Sequence, residues 1–421
     1  MPRLAALVAS LSCFVFGCAT SEYPDPQTGI ALVGGFVVDP GGEAPPYSAN
    51  ILMSGGKVVS VGSAIKIPKH YQTVDVAGKF IVPGLWDMHA HLAALDPVGS
   101  KPLDYVSHGV LAVRDMGGHV DELLAYRSSL DARVVGPEIV MAGGTLNGEA
   151  SGDWHIAVTT DSEGRAAVQQ MKAKGADFIK VHRATKPDVF RAIVDEARRV
   201  GLHVAGHVPL GMSWPAAADA GMQTIEHAVT MVENEMALPK DPAANILVAA
   251  ARIDGAAGDD IIAALVRNKT YLDPTLIAYE SKLASAEPSA AAVARNFYMR
   301  VRKFIGRANA AGVAIVAGTD LVDRPGAGLL DELDLLVASG LTPREALRSA
   351  TVTAAKAAGR PELGQIHPGG PASFIVLDAD PTLDIRDIRK LSIVMLRGRI
   401  LDRASLASPS PPNIARQPAT H

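Results

Sequence analysis

Apolar and polar positions alternate in short runs near the amino end of the chain, at 31–38 (ALVGGFVV), 50–53 (NILM), 57–62 (KVVSVG) and 72–76 (QTVDV), separated by Gly and Asn/Asp turns. A period of two broken by such turns predicts antiparallel strands joined by hairpins. Two further runs of this kind, 373–377 (SFIVL) and 392–401 (SIVMLRGRIL), stand near the other end. Between the two groups the pattern changes. Eight strongly apolar runs, at 80–91, 110–115, 138–142, 177–182, 202–207, 223–227, 270–274 and 313–320, alternate with Ala-rich or amphipathic stretches of helical period. Strand and helix in alternation predict parallel strands with right-handed crossovers, and eight is the number that closes a barrel. The expected fold class is therefore α/β: a (β/α)8 TIM barrel over 81–365, with a small β-sandwich domain formed by both chain ends, 31–80 and 366–404. Helices are expected at 330–338 and 343–358, the second with Thr342 as N-cap, Pro343 at its first position and Gly359 as its stop. A doubly wound open sheet is the competing layout. It usually announces a phosphate loop, and neither G-x-G-x-x-G nor G-x-x-x-x-G-K-[ST] occurs.

The outermost segments carry no such pattern. Residues 1–18 read MPRLAALVASLSCFVFGC: a charge at Arg3, an apolar run over 4–16, then Gly17 and Cys18. That run is too short for a permanent membrane span and fits the apolar region of a secretory signal over 1–17. Val15-Phe16-Gly17-Cys18 resembles a bacterial lipobox, in which Cys18 would be lipidated; an ordinary signal peptide is the alternative. A polar tether (18–30) follows, and a tail rich in Pro, Ser and Ala (405–421) reads as disordered. The expected location is outside the cytoplasm, periplasmic or anchored to the outer membrane of a bacterium.

Composition narrows the function classes. Lys plus Arg number 40 against 44 Asp plus Glu, so the net charge of −4 supplies no basic field for nucleic acid. At 48% hydrophobic and 20% charged, the chain has the make-up of a compact enzyme rather than a disordered polymer. Its two cysteines, Cys13 and Cys18, make neither a disulfide framework nor a thiolate zinc cluster, so any metal must be held by nitrogen and oxygen.

Such atoms gather at the ends of the apolar runs. His89 and His91 close the first (IVPGLWDMHAH), and residues i and i+2 of a strand point to one face, so both imidazoles can grip one ion. Lys180 ends the fourth run, His207 the fifth, His227 the sixth and Asp320 the eighth. In a (β/α)8 barrel these ends share the active-site face, which brings four imidazoles, a carboxylate and a lysine together. Asp87 and Asp115 read as turn-forming or supporting groups, and His70, His108, His119 and His203 as ordinary hydrogen-bonding histidines.

The blocks VPGLWDMHAHL, GVLAVRDMGG, FIKVH, GHV, TIEHA, AGTD and PGGPASFIVLDADP, in that order, resemble the amidohydrolase superfamily, in particular its imidazolonepropionase-like and prolidase-like members. The resemblance implies that His89, His91 and Asp320 bind the more buried of two divalent metal ions, most simply Zn²⁺, and His207 and His227 the more exposed one. Lys180 stands where binuclear members carry a lysine carboxylated by CO₂ that bridges both ions. An unmodified Lys180 beside a single metal is the alternative. The activity implied is hydrolysis of an amide by a metal-bridging hydroxide, with Asp320 as general base and then general acid. Deaminase relatives carry an acid soon after the fifth-strand histidine; Val208-Pro209 stand there instead.

Substrate choice falls to the loops after the strands. Trp154 and His155, in the glycine-rich stretch after the third run, are candidate substrate contacts, as is His182; Arg183 or Arg324 could clamp a terminal carboxylate bidentately. The substrate implied is a peptide or N-acyl amino acid, cleaved as a carboxypeptidase or dipeptidase would, with toxin or xenobiotic amides of that shape included. A ring-opening hydrolase of an imidazolone, lactam or lactone is the enzymatic alternative, and a non-catalytic surface-binding lipoprotein the alternative of another class. Expected partners are a small molecule or short peptide, no nucleic acid, and the membrane only through a lipid anchor; self-association into a homo-oligomer is left open.

Overall fold

The structure is a computed structural model that describes residues 29–92, 101–130, 135–231, 251–284 and 288–401. The expected signal segment, Cys18, most of the tether and the expected tail lie outside the described residues. Among the described residues no helix is long and apolar enough to cross a membrane.

The alternating runs at both chain ends fold together. Strands β1 (Ile30–Val37), β2 (Tyr47–Ser54), β3 (Lys57–Gly62), β4 (Gln72–Asp75) and β5 (Phe80–Pro83) come from the amino side. The last three strands, β15 (Phe374–Leu377), β16 (Leu391–Leu396) and β17 (Arg399–Leu401), come from the carboxyl side. They form one eight-stranded sheet in the order β17-β16-β15-β5-β1-β2-β3, with β4 paired to β1. The two chain ends meet where β5 and β15 run antiparallel, Phe80 opposite Leu377 and Pro83 opposite Phe374. Leu32, Ile51, Val76, Phe374 and Met395 bury themselves in this unit's own core. The expected run 80–91 is thus divided: Gly84 separates β5, which belongs to this sheet, from β6 (Leu85–Ala90). A Cβ at residue 84 would lie 2.7 Å from the Leu111 side chain, so glycine lets the chain pass close to it.

The middle of the chain is TIM-barrel-like. After β6 come β7 (Val110–Asp115), β8 (Glu138–Met141), β9 (Thr145–Asn147), β10 (His155–Ala157), β11 (Ile179–Val181), β12 (Val204–Gly206), β13 (Thr224–Glu226) and β14 (Tyr271–Asp273). All ladders among them are parallel. They fall into two sheets, β6-β7-β8 and β10-β9-β11-β12-β13-β14, rather than one closed ring. Two local features account for the split. The third apolar run, 138–142, supplies β8 alone and ends before β9, with Gly143 between them in the left-handed region (φ 71°). The eighth, 313–320, is not a regular strand and makes a single bridge, Leu272 with Ile315. Backbone hydrogen bonds nevertheless cross both gaps. Asp177 N donates to Met141 O (2.9 Å), Val316 N to Leu272 O (3.0 Å), Met88 N to Ala317 O (2.9 Å) and Asp320 N to His89 O (2.8 Å).

Helices cover the strands and are capped as their sequence dictates. Thr160 and Glu163 form a capping box before Asp161–Lys174, and Thr342 and Glu345 another before Pro343–Ser349. The single helix expected over 343–358 is two, Pro343–Ser349 and Val352–Ala357, broken at Ala350 and Thr351. The break turns the Thr351 hydroxyl back onto Leu347 O (2.7 Å) and frees Ala350 O to accept from Trp86 N (2.8 Å).

Candidate metal centre

The six strand-end residues leave different places in the fold and converge. His89 lies in β6 with His91 just beyond it, Lys180 in β11, His207 directly after β12, His227 directly after β13, and Asp320 closes the 313–320 segment. Parallel strands end on one rim, so these side chains share it. All six line one cavity of about 240 Å³, whose wall also includes Met116, Thr145, Trp154, His155 and His182. Imidazole rings cross it in a continuous series. Centroid separations are 5.4 Å from His91 to His89, 4.6 Å to His227, 4.5 Å to His207, 4.3 Å to His182 and 5.4 Å to His155.

Hydrogen bonding sorts the ring nitrogens. Nδ1 of His89 donates to Oε2 of Glu226 (3.0 Å), and Nδ1 of His91 to the carbonyl of Gly117 (3.0 Å). Each ring therefore keeps Nε2 for the cavity, the tautomer in which a histidine offers a metal its lone pair. These Nε2 atoms lie 3.6 and 3.4 Å from Oδ1 of Asp320, and the three residues can offer ligand atoms within 4.8 Å of one another. Nδ1 of His227 is 2.8 Å from the Thr275 hydroxyl and 3.8 Å from Oδ2 of Asp320. Nδ1 of His207 is buried without a hydrogen-bond partner among the described residues. An unmet buried polar atom costs about 1–3 kcal/mol, a cost that a cation facing the nitrogen removes. Nitrogen and oxygen donors in this number suit a divalent ion such as Zn²⁺. A second trio, His89, Glu226 and Asp273, has similar spacing, but Arg114 fills it: Nη2 donates to Glu226 (2.8 and 2.9 Å) and reaches Asp273 (3.4 Å).

Charge in the site is set by burial and proximity. Burial lowers His89 to about 4, His182 to about 4, and His207 and His227 well below the ordinary imidazole value. Burial also acts to lower His91, but the Asp320 carboxylate beside it wins and raises it. Burial would raise Asp320, yet His89, His91 and His227 hold it far below the carboxylate range. Lys180 is pushed down to about 8 by burial, against the attraction of Glu226 and Asp320.

The backbone is strained at these positions. His227 (φ 63°), Asp320 (φ 54°) and Thr275 (φ 47°) all occupy the left-handed region, uncommon for any residue with a Cβ and an outlier for β-branched threonine. Such conformations persist where the surroundings over-determine them, typically at functional sites. Glycine is demanded at two neighbouring points. A Cβ on Gly206 (φ 135°) would sit 2.1 Å from Val181 O and 3.1 Å from Lys180 Cδ, and one on Gly318 would meet Asp273 Oδ2 at 2.2 Å.

The remaining sequence candidates divide. Trp154, His155 and His182 line the cavity. His155 is not in a loop but in β10, with its Nδ1 2.6 Å from the Ser151 hydroxyl. Arg183 is exposed and is not part of the cavity wall. Arg324 lies in a different depression with His108 and Ile388, where it pairs with Asp331, so the structure does not bring this arginine to the candidate metal cavity. Asp87 ties β6 to the eighth segment, accepting from His89 N (3.1 Å), Thr319 N (3.0 Å) and Thr319 Oγ1 (2.7 Å). Sequence reasoning passed over Arg114, Glu226, Asp273 and Thr275. For Arg114, Glu226 and Asp273 a signal was present, since a charged residue inside an apolar strand run has to find a partner; Thr275 gave none.

Residues 80–401 match the Amidohydrolase family. The chain belongs to the amidohydrolase family. Ochratoxinase from Aspergillus niger is 26% identical over 413 residues, covering 82% of this chain and 81% of its own. The ochratoxinase crystal structure superposes with a TM-score of 0.70 at 22% identity, over 89% of this chain and 96% of that one. Imidazolonepropionase from Streptomyces avermitilis is 24% identical over 357 residues, covering 79% of this chain and 81% of its own. A Xaa-Pro dipeptidase solved with bound methionine has a TM-score of 0.71 at 22% identity, over 89% of this chain and all (100%) of that one. This amidohydrolase is accordingly a metal-dependent hydrolase acting on amide bonds.

Proposed function

We propose that this amidohydrolase cleaves the amide of a peptide or N-acyl amino acid, including toxin or xenobiotic amides of that shape, at a binuclear centre. His89, His91 and Asp320 would hold one ion, His207 and His227 the other, and Lys180, carboxylated by CO₂, would supply an oxygen to each. The observation that carries the reading is the convergence of these six residues on one cavity, with the Nε2 atoms of His89 and His91 turned into it. An eight-strand barrel is part of the proposal, supported by the backbone hydrogen bonds across both sheet gaps.

When bound, two divalent ions supply Lewis-acid polarisation of the scissile carbonyl and a water acidic enough to react near neutral pH. The protein's own groups do the rest. Asp320, beside both imidazoles, accepts the proton of the attacking water and returns it to the leaving nitrogen, so that a poor anionic leaving group departs as a neutral amine. Glu226 holds His89 in the binding tautomer. Trp154, His155 and His182 contact the substrate from the β10 and β11 side of the cavity.

One observation favours a second reading. Arg324 is engaged by Asp331 away from the cavity, which removes one expected carboxylate clamp and suits a ring-opening hydrolysis of a lactam or lactone. An exported, lipid-anchored location also belongs to the proposal and is supported by the apolar run over 4–16 and Cys18 alone. The deciding experiment reconstitutes the protein with zinc and bicarbonate, measures bound metal, and screens dipeptides and N-acyl amino acids beside lactams and lactones. Two zinc ions with peptide turnover are expected, and Asp320→Asn should cut kcat by about 10²–10⁴-fold. A protein that binds no metal sinks the reading.

A further inference from the structure

Three left-handed residues stand on consecutive strand ends, and Thr275, one of them, has no place among the proposed ligands. Thr275 is buried, and its hydroxyl lies 2.8 Å from Nδ1 of His227. Its backbone neighbours are laced to the same histidine: His227 N donates to Asp273 O (2.9 Å) and Ala228 N to Pro274 O (3.2 Å). On its other side the helix Leu276–Ala284 begins, and the buried Glu332 closes that end. Leu276 N donates to one carboxylate oxygen of Glu332 (3.0 Å) and Ile277 N to the other (2.7 Å). Glu332 sits on the helix Ala327–Ala338 that follows the Asp320 loop, so a single carboxylate fastens the segment bearing Thr275 to the element behind Asp320.

We infer that Thr275, clamped through Glu332, is the positioning residue for His227 and sets the affinity of the ion held by His207 and His227 separately from that of the ion held by His89, His91 and Asp320. The inference rests on the proposed binuclear centre. With Nδ1–H donating to the Thr275 hydroxyl, the imidazole of His227 keeps Nε2 for a ligand and cannot rotate without losing that bond, while the backbone bonds from His227 N and Ala228 N to residues 273 and 274 hold its main chain beside Thr275. A left-handed threonine is costly, and the two backbone amides gripped by Glu332 are what keep it there. The two halves of the site are supported unequally. His89 is backed by an ionised carboxylate that Arg114 sustains, whereas His227 is backed by a neutral hydroxyl. Charge-assisted bonds are roughly twice as strong as neutral ones, so the His207/His227 ion is the one released first.

The test is competition of zinc- and cobalt-loaded protein with a chelator, reading bound ions per chain and the cobalt absorption spectrum. Thr275→Val keeps the β-branch and backbone preference and deletes only the hydroxyl. One of two ions should then leave at a chelator concentration about 10–100-fold lower than in the wild type, the usual effect of removing a ligand's supporting partner, while the other stays. Thr275→Ser, which keeps the hydroxyl, should restore the wild-type curve. Glu332→Gln, with one acceptor oxygen in place of two, should shift release of the same ion in the same direction. Should Thr275→Val fail to fold, the Ser and Gln variants decide: unchanged release in Glu332→Gln overturns the inference. A folded Thr275→Val protein that holds both ions as tightly as wild type also overturns it and leaves the binuclear reading intact. A wild-type protein that binds no ion overturns both.

Discussion

Nδ1 of His89 and Oε2 of Glu226 are 3.0 Å apart with both side chains buried, and Arg114 closes the other side of the same carboxylate. Burial would raise Glu226, but the Arg114 guanidinium lowers it, while burial and the Glu226 charge push Asp273 well up. The Arg114 cation and the Glu226 anion thus face each other beneath the cavity. The Glu226→Gln variant strips the anion from this pair. Breaking a buried ion pair by removing one partner costs about 3–5 kcal/mol, and loss of a histidine's supporting carboxylate weakens metal binding about 10–100-fold. A thermal melt and a zinc titration check both, and an unchanged zinc affinity would show that His89 holds its tautomer without Glu226.

Gly206 is fixed by its surroundings. Its φ of 135° and the 2.1 Å that would separate an added methyl from Val181 O mean that alanine must push β12 off β11, the strands that lead to His207 and carry Lys180. Gly206→Ala is expected to destabilise by about 1–3 kcal/mol through overpacking and to lower metal occupancy as well. A variant with wild-type melting and full occupancy counts against the close contact.

Arg324 pairs with Asp331 in a depression apart from the candidate metal cavity. Arg324→Met should leave KM for a carboxylate-bearing substrate within about twofold of wild type and alter stability by no more than about 1 kcal/mol, the range of exposed ion pairs. A tenfold rise in KM would bring this arginine back as a carboxylate clamp.

Glu332 titrates unusually. Burial raises it from the ordinary 4.5 to about 8, even though two backbone amides donate to it. The folded state then holds the proton more tightly than the unfolded chain, so its stabilising share is complete below pH 4.5 and is lost as pH rises toward 8. Glutamine does not titrate. The melting temperature of Glu332→Gln relative to wild type should therefore climb steadily from pH 5 to about pH 8, as followed by circular dichroism; a difference that stays flat with pH excludes a raised Glu332.

The strand and helix order was legible in the chain because burial imposes a period, and so was the set of cavity-lining His89, His91, Lys180, His207, His227 and Asp320. Each of these follows an apolar run, and the rim of a parallel sheet gathers whatever its strands end on. The caps at Thr342 and Glu345 were likewise local, three residues apart.

Other features had no local signal. The division of 80–91 at Gly84 depends on Leu111, and the break after Ser349 depends on Trp86 claiming the carbonyl of Ala350. Arg114 meets Glu226 across 112 residues, His227 meets Thr275 across 48, and Leu276 meets Glu332 across 56. Arg324 follows Asp320 closely in the chain yet points elsewhere, because Asp331, on the helix that follows, offers a nearer carboxylate. A sequence can thus declare which side chains a strand end presents, since that follows from period and chain direction. Which nitrogen of each imidazole faces the cavity, and which buried charge balances which, is decided by partners that only the folded chain brings within hydrogen-bond reach.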